Sequence, residues 1–187
     1  MVCKFRAAMK TRFPTTLFRA ACAAIWLLCG TAAHAEKADR AKPMVIEADK
    51  PGIVDLQRQV VVFNGNVQIQ QGTMTIRAER VEIREGADGF RVAIALGSAG
   101  KPATYRQKRE GVDETLDGSA DRIEFDGRTD TLKLIGNGAV RRLRGSVVAD
   151  EITGALIAWD HNAEVFSVQG GDAGRVRAVL GPRETPR

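Results

Sequence analysis

Few side chains in this sequence are of the types that catalyse reactions or bind metal ions. After residue 35 there is one histidine, His161, which follows Asp160 at a predicted turn, and no serine in the setting of a catalytic nucleophile accompanies the pair. An Asp-His pair needs such a nucleophile to form a triad, and one histidine without cysteines lacks the usual spacing of metal ligands. We therefore interpret His161 as a solvated turn residue and predict no catalytic residue, no metal site and no cofactor.

Charged side chains offer two further candidates for chemistry. Basic residues are concentrated at residues 106–109 and 141–144, where they would suit the phosphates of a lipid head group, but a solvated strand face balanced by acids is the simpler interpretation. The periodic placement of acids favours a structural role, such as hydrogen bonding to the backbone at a strand end, over acid–base catalysis. The acids that recur in this way are Asp49, Glu79, Asp121 and Asp150.

Two segments of the chain carry these residues in the same order. A short apolar strand leads to a Gly-Asn step at Gly65 and again at Gly136, and an alanine followed by an acid comes 13 residues after each glycine, at Ala78 and Ala149. Such a repeat indicates units that bury their apolar faces by stacking on one another. Because the glycines lie inside strand-like runs, we predict bends that carry each strand from one sheet into another.

The first 35 residues have the plan of a secretory signal peptide. Five basic residues and no acid precede an apolar run that ends at Cys29, and Ala33-His34-Ala35 has the small-residue pattern of a cleavage site. The apolar run is about ten residues long, whereas a bilayer-spanning helix needs about 20. We predict export with cleavage after Ala35. Lipidation at Cys29 is disfavoured because the bulky Leu28 precedes it.

Removal of this leader changes the composition of the chain. All three cysteines lie in the leader, so the mature protein has no thiol and its stability depends on packing and backbone pairing. Five of the 28 lysines and arginines also lie there, which leaves 23 against 23 aspartates and glutamates. A net charge of zero argues against nucleic acid as a partner.

Strand patterns dominate the mature chain. Apolar and polar residues alternate around Ile46, Ile69, Ile76 and Ile83, glycines and Asx residues separate these runs, and no window of ten residues keeps helical spacing. We predict an all-β sandwich, jelly roll or open curled sheet. In this plan residues 36–43 form a flexible segment, residues 44–180 the β-domain and residues 181–187 a C-terminal tail.

The alternation places one set of apolar side chains on the inner wall of the sheets. These side chains form either a self-filled sandwich core or the wall of a partly open trough, which the scarcity of aromatic residues would favour. In an open trough each buried methylene of an acyl chain would gain about 0.8 kcal/mol. The candidates are Met44, Ile46, Phe63, Val67, Ile69, Met74, Ile76, Val81, Ile83, Tyr105, Ile123, Phe125, Leu132 and Leu134.

Five segments in series form a more specific pattern. They are MVIEAD at residues 44–49, VVFNGNV at 61–67, QGTMTIRAE at 71–79, GKPATYRQ at 100–107 and LIGNG at 134–138. Together with the leader, this series resembles the OstA-like family of periplasmic lipopolysaccharide-transport proteins over essentially the whole mature chain. The resemblance implies a slightly twisted β-jelly-roll of about sixteen antiparallel strands, folded as a V-shaped trough that is open at both ends.

The resemblance also implies a function. Members of this family hold lipopolysaccharide in the periplasm by the acyl chains of lipid A and carry it from the inner to the outer membrane. Copies associate head to tail, with LptC at the N-terminal end and LptD at the C-terminal end of the bridge. By position, the strongest candidates for acyl contact in this sequence are Met44, Ile46, Tyr105, Ile123 and Phe125, followed by Phe63.

Two other functions are compatible with the residues. A periplasmic scaffold or adaptor would have a self-filled core and would act only through its edge strands. A β-solenoid that binds or hydrolyses polysaccharide would need exposed aromatics or paired carboxylates, and the scarcity of aromatic side chains counts against it.

Overall fold

The computed structural model describes residue 39 and residues 42–109, 111–171 and 174–182. The predicted signal peptide, residues 1–35, and residues 183–187 of the predicted tail lie outside the described residues. The described part of the chain forms twelve strands. They are β1 Val45–Glu47, β2 Lys50–Asp55, β3 Val60–Gln71, β4 Met74–Glu85, β5 Arg91–Leu96, β6 Ala103–Lys108, β7 Glu114–Ala120, β8 Arg122–Asp126, β9 Thr131–Arg144, β10 Val147–Asp160, β11 Val165–Gln169 and β12 Arg177–Leu180.

The twelve strands form two layers that share four long strands. In the first layer the order is β2-β3-β4-β5-β8-β9-β10-β11, and in the second it is β1-β3-β4-β6-β7-β9-β10-β12, with antiparallel pairing throughout. Because β3, β4, β9 and β10 each belong to both layers, the strands supply sixteen segments, eight to a layer. The predicted jelly-roll trough of about sixteen antiparallel strands is confirmed.

A kink with left-handed backbone angles lies in β3 and in β9 where these strands pass between the layers. The φ angles of Gly65 and Asn66 are 77° and 45°, and those of Gly136 and Asn137 are 76° and 49°. Glycine adopts such angles at little cost, and asparagine tolerates them better than most residues. The register of β3 on β4 shifts at this kink. The bends predicted at Gly65 and Gly136 are therefore confirmed.

The chain contains two copies of a six-strand unit, β1–β6 and β7–β12. In each unit the third strand pairs with the first, second and fourth, and the fourth pairs with the fifth and sixth. The kinks are also held alike: the Asp49 N–H donates to the Gly65 carbonyl, and the Asp121 N–H donates to the Gly136 carbonyl, both at 2.9 Å. The repeat predicted from the sequence is thus a structural duplication.

The Ala-acid pairs at equal spacing from the two kinks are not structural equivalents. Ala78 pairs with Val67, just beyond the first kink, whereas the residue in that place of the second unit is Gly154, which pairs with Gly138. Ala149 lies farther away, near the β9–β10 hairpin turn. The equal spacing misleads because β9 runs two residues farther past its kink than β3, and β10 has a further bulge near Ala149.

The core lies between the inner faces of the two layers. Its largest fully buried side chains come from β3, β4, β8, β9 and β10, and burial of each contributes about 1.5–3 kcal/mol relative to exposure. They are Ile69, Ile123, Leu132, Leu134, Ile157, Val67 and Val81. Strands from both six-strand units contribute to this one core.

Both ends of the described chain are fixed to the sheets. Asp39 accepts a hydrogen bond from the Thr73 N–H at 2.9 Å, at the turn between β3 and β4. At the other end, β12 pairs with β10, and the Gly181 N–H donates to Asp150 Oδ1 at 3.0 Å. The arginine-rich C-terminal part therefore supplies the last strand of the second layer.

Candidate functional site

All fourteen predicted groove residues face the interior. Nine of them are buried core residues, and the other five, Met44, Ile46, Phe63, Met74 and Phe125, are partly buried against that core. The alternation in the sequence therefore assigned these side chains to the correct face. Their contact with a lipid stays a prediction.

The trough opens at the end formed by β1 and β2. A cavity of about 360 Å³ lies there, between the first strands of the N-terminal unit and the start of β5. Its apolar wall includes Leu56, which is 84% exposed, and Val54, which is 58% exposed. Of the predicted groove residues, Met44, Ile46 and Ile83 line this cavity.

The middle of the trough is narrow because aromatic side chains gather there. Trp159 stacks on Phe166 with ring centroids 5.4 Å apart and meets Tyr105 edge to face at 6.2 Å. A cavity of about 60 Å³ remains beside Tyr105 and Phe125. The sequence correctly indicated that aromatics are few, but it did not indicate that they converge at one place.

His161 belongs to this aromatic cluster and not to the solvent, so the interpretation of a solvated turn is wrong. Its side chain is 5% exposed, its ring stacks on Trp159 at a centroid distance of 3.9 Å, and its Nδ1 lies 3.0 Å from the Asp130 carbonyl oxygen. The turn after β10 folds back over the end of β8 and the start of β9, and this packing covers the ring. The tertiary contact with Asp130, 31 residues earlier, has no signal in the local sequence.

The other end of the trough has a second opening with a charged rim. A cavity of about 190 Å³ lies between β7, β9, β10, β11 and β12, with Leu180, Val140 and Phe166 in its apolar wall and Arg109 and Arg142 at its edge. The two wide cavities are lined by strands at opposite ends of the strand order, and the aromatic cluster borders the second one, because Trp159 and Phe166 line it.

Glu114 is the centre of the charged rim. Its carboxylate is 2.6 Å from Arg109 Nη1, 2.7 Å from Arg142 Nη1 and 3.0 Å from Arg144 Nε. Burial raises the pKa of the Glu114 carboxyl, but hydrogen bonds from Arg144, Arg142 and Arg109 outweigh that effect and lower the pKa to about 2. The group is therefore a fixed anion at neutral pH, and it holds three arginines in place.

Two further arginines of the basic segments are also paired with acids. Arg106 lies 3.3 Å from Asp117, and Arg141 lies 2.7 Å from Glu151, while Arg142 additionally binds Asp150. This pattern is that of a solvated strand face balanced by neighbouring acids, which is the interpretation that the sequence favoured for both basic segments.

The predicted structural role of the recurring acids agrees with their contacts. Asp150 accepts a hydrogen bond from the Gly181 N–H at 3.0 Å, and Glu79 accepts one from the Asn66 N–H beside the first kink. Asp121 supports the second kink through a side-chain contact, because it accepts a hydrogen bond from the Asn137 amide at 2.9 Å. Among the described residues, no group of three or more metal-binding side chains is found. The same residues contain no helix of the length and hydropathy needed to cross a membrane.

Several residues of the trough were not predicted from the sequence. Val54 and Leu56 lie in runs whose alternation is interrupted by Pro51 and Gly52, and Gln107 is polar although it points inward. The inward set of β10 was missed as well, although Ile157 and Trp159 follow the same two-residue period that identified the other strands. That period was the signal that could have found them.

Comparison with known proteins gives a consistent result. Residues 45–158 match the sequence model of a family described as LptA/(LptD N-terminal domain) LPS transport protein. The lipopolysaccharide export system protein LptA of Escherichia coli K12 is 31% identical over 153 residues, which are 81% of this chain and 78% of that protein. LptA of Haemophilus influenzae is 28% identical over 161 residues, 86% of this chain and 90% of that protein.

A solved structure shares the fold. The crystal structure of LptH, described as the LptA-homologous periplasmic component of the lipopolysaccharide transport device of Pseudomonas aeruginosa, superposes with a TM-score of 0.67 at 22% identity. The match covers 77% of this chain and 99% of that one. The family match over most of the β-domain, with relatives matched over most of their length and a solved structure of the same fold, shows that this chain belongs to the LptA/LptD N-terminal-domain family of lipopolysaccharide-transport proteins.

Proposed function

We propose that this protein binds lipopolysaccharide by the acyl chains of lipid A and carries it across the periplasm, without enzymatic activity. The observation that carries the proposal is an apolar trough that opens at both ends, in a chain of this transport family. The fourteen predicted groove residues support it, because all of them face the interior between the two layers. Export of the chain with cleavage after Ala35 is part of the same proposal.

The energetics of burial support acyl binding at the two openings. Each methylene that leaves water gains about 0.8 kcal/mol, and the cavities of about 360 Å³ and 190 Å³ are lined mainly by apolar groups. The central cavity of about 60 Å³ is too small for a whole acyl chain. Occupation of the full length therefore requires the aromatic cluster to change rotamers or the layers to move apart.

Photo-crosslinking tests the groove assignment. A benzoylphenylalanine at position 46 or 125 replaces an inward side chain, and lipopolysaccharide should be trapped at both positions. The neighbouring positions 47 and 124 are the matched controls, because alternation along a strand points their acids to the other face: Glu47 is exposed, and Glu124 pairs with Arg122. They should give little product. Equal crosslinking at all four positions would contradict the assignment.

We also propose that copies of the chain associate head to tail, because the duplication supplies a template for the joint. Within the chain, the two units meet where β5 pairs with β8 and β6 pairs with β7. The equivalent free strands at the two ends are β11 and β12 of one copy and β2 and β1 of the next. An exposed edge of this kind accepts strands from another chain.

The internal joint also defines a register between copies. Superposition of the units makes β12 equivalent to β6 and β1 equivalent to β7, which pairs Arg177 with Glu47, Ala178 with Ile46 and Leu180 with Met44 of the next copy. In the internal joint, Tyr105 opposes Gly118, so a large side chain meets a small one there. In the proposed joint the small residue, Ala178, lies on β12 and the large residue, Ile46, lies on β1. A large side chain therefore again faces a small one, with the two strands exchanged.

The two ends would then meet different membrane proteins. In the proposed bridge the β1–β2 edge pairs with LptC and the β11–β12 edge with LptD, because a partner with the same fold supplies a matching edge. Exposed apolar residues at both edges suit such contacts, since Ile53 is 66% exposed on β2 and Leu180 is 74% exposed on β12.

One observation favours a second candidate function. The narrow middle of the trough is what a scaffold or adaptor with a self-filled core would have. Native mass spectrometry of the protein with lipopolysaccharide separates the two functions, because an adaptor assembles without a lipid adduct, whereas a carrier retains one.

A further inference from the structure

Strand β2 differs from its counterpart in the second unit, β8, by one extra residue. β8 pairs with β9 at five successive residues, whereas the register of β2 on β3 shifts between Lys50 and Ile53. Over this shift β2 advances by three residues while β3 covers only two, from Asn64 to Val62. The extra residue forms a β-bulge, and it lies in the Pro51-Gly52 step. We call Pro51-Gly52 the edge bulge.

The edge bulge is fixed by the packing of the neighbouring strand. Phe63 is the β3 residue between the two ladder pairs that flank the bulge. Its ring lies against the backbone of Gly52, because a Cβ atom at that glycine would be 2.3 Å from Phe63 Cδ1 and 2.9 Å from the Val62 carbonyl oxygen. In the second unit the same place holds Ile123, which is 1% exposed and pairs with Leu134. The ring of Phe63 therefore requires glycine at position 52, where β8 carries a large side chain.

The edge bulge lies on a strand that the proposed joint between copies would use. Inside the chain, β5 pairs with β8 at five successive residues, and the equivalent strands at the two ends of the chain are β11 and β2. The next residue of β11 after three regular pairs, Val168, would face the bulge, whereas its internal counterpart Ala95 faces Ile123. In the internal register the three regular pairs would be Val165 with Asp55, Phe166 with Val54 and Ser167 with Ile53.

An edge strand with a bulge offers a shorter ladder to a partner. A bulge bends its strand and can end the pairing, and proline has no N–H to donate. Proteins use both devices on exposed edges to limit pairing between molecules. In the other layer of the joint, β1 pairs with β3 in unbroken register through Val45, Ile46 and Glu47. The two layers of the joint therefore offer ladders of different quality.

We propose that the edge bulge limits the pairing between β11 of one copy and β2 of the next to the three residue pairs before it. This inference rests on the proposed head-to-tail association. The β12–β1 pairing of the second layer then holds the copies together, and the joint between copies separates more easily than the internal joint. Without the bulge, Ile53 and Val54, which are 66% and 58% exposed, would lie in a continuous edge strand open to further pairing.

Disulfide trapping between copies tests where the pairing ends. Opposite residues of an antiparallel pair lie about 4.5–5.5 Å apart at Cα, within the range of a disulfide. All three native cysteines lie in the predicted leader, so the mature chain contains only the cysteines that are introduced. Ile53→Cys and Ser167→Cys, on separate chains that are mixed and oxidised, should give a linked dimer. Lys50→Cys and Gln169→Cys, which lie beyond the bulge, should give no more dimer than either chain alone.

Two further pairs are controls for the trapping. Leu96→Cys and Arg122→Cys in one chain occupy the internal equivalents of positions 169 and 50, where no bulge intervenes, and their disulfide should form. Val45→Cys and Val179→Cys on separate chains report the second layer of the joint. Both valines are exposed and face each other in the proposed register, so a linked dimer should form there too.

Removal of the edge bulge should strengthen the joint. The variant lacks Pro51 and carries Gly52→Ile and Phe63→Leu, which copies the pairing of Ile123 with Leu134. About one or two additional backbone hydrogen bonds predict a dissociation constant for self-association that is about fivefold to thirtyfold lower, measured by sedimentation velocity. In this background, cysteines at positions 50 and 169 should form the disulfide. Urea unfolding shows whether the variant folds, and trapping in the unmodified strand decides the matter if it does not.

The outcomes separate this inference from the proposed association. A disulfide between positions 50 and 169 that is as abundant as the one between positions 53 and 167 would overturn the inference. No disulfide between positions 53 and 167 in chains that link positions 45 and 179 would also overturn it, as would unchanged self-association of a folded bulge-free variant. Absence of every disulfide between copies, while the internal pair forms, would contradict the head-to-tail association itself.

Discussion

Glu114 illustrates how one buried carboxylate organises a rim of the trough. It lies 11% exposed between three arginines that come from the loop after β6 and from β9. Charge-assisted hydrogen bonds of this kind are stronger than neutral ones, and loss of the carboxylate would leave three guanidinium groups close together. The residue therefore stabilises the place where the β6–β7 hairpin meets β9.

Glu114→Gln should destabilise the protein in a pH-dependent way. The folded-state pKa of about 2 lies below the ordinary value of 4.5, so the contribution of the carboxylate is fully present above pH 4.5 and is lost as the pH falls toward 2. We expect the variant to lose about 1–3 kcal/mol of unfolding free energy at pH 7. Urea unfolding at pH 7 and at pH 3 measures the difference, which should be smaller at pH 3.

Glu164→Gln is the control for this prediction. Glu164 pairs with Arg109 at 2.9 Å but its side chain is 57% exposed, and exposed pairs contribute less than about 1 kcal/mol. A loss for Glu164→Gln that equals the loss for Glu114→Gln would contradict the special role of the buried carboxylate.

For single residues, the two-residue alternation of strands predicted which side chains are buried. It missed residues whose burial depends on contacts with distant parts of the chain. Ile46, Ile69 and Ile76 were assigned to the interior because strands alternate. His161 was assigned to solvent because its neighbours are turn residues, and its burial depends on Trp159 and Asp130. Local pattern carries no information on which turn will fold over which strand end.

The kinked strands are the elements that give the trough its shape. Gly136 lets β9 leave the first layer, where it pairs with β8, and enter the second, where it pairs with β7. A Cβ atom at Gly136 would lie 2.5 Å from Asp121 Oδ2, and that carboxylate is held by the Asn137 amide at 2.9 Å. The glycine is required for both its backbone angle and its lack of a side chain.

Gly136→Ala should therefore lower the free energy of unfolding by more than a glycine-to-alanine change at a position where only the backbone angle is unfavourable. We expect about 1–2 kcal/mol from the left-handed conformation and about as much again from displacing Asp121. Gly145→Ala is the matched control, because Gly145 has a φ of 58° but a Cβ there meets nothing within 4 Å. Equal unfolding free energies of the two variants in urea would show that the Asp121 contact has no effect.

The strands and their bends were predicted correctly, but the residues that correspond between the two six-strand units were not. Glycine inside an alternating run indicates a bend, and both bends are where the sequence placed them. The spacing of 13 residues to Ala78 and Ala149 suggested equivalent positions, but strand pairing depends on hairpin length, which differs between the units. The separation of residues along a chain does not fix the register of a hairpin.

At the scale of the whole molecule, the duplication gives a structural basis for the proposed head-to-tail joint. Within the chain, β5 and β6 of the first unit pair with β8 and β7 of the second. The equivalent strands are left as edges at the two ends, β11 and β12 at one end and β2 and β1 at the other. The exposed apolar residues Ile53 and Val54 lie at one end, and Val179 and Leu180 lie at the other. An interface that continues the internal joint would remove these side chains from water.

A charge exchange tests the register of that joint. In the proposed pairing Glu47 of one copy faces Arg177 of the next, and Glu47→Lys or Arg177→Glu alone places like charges opposite each other. We expect each single variant to raise the dissociation constant for self-association about threefold to tenfold at low salt, and the double variant to recover most of the native affinity. Sedimentation velocity across a concentration series measures these constants.

Asp113→Lys is the control for net charge. It lies on the exposed β6–β7 loop, makes the same change in net charge as Glu47→Lys and should have little effect on self-association. A double variant that is no better than the single variants would rule out this register, and a loss for Asp113→Lys as large as that for Glu47→Lys would mean that the effect comes from net charge and not from the joint.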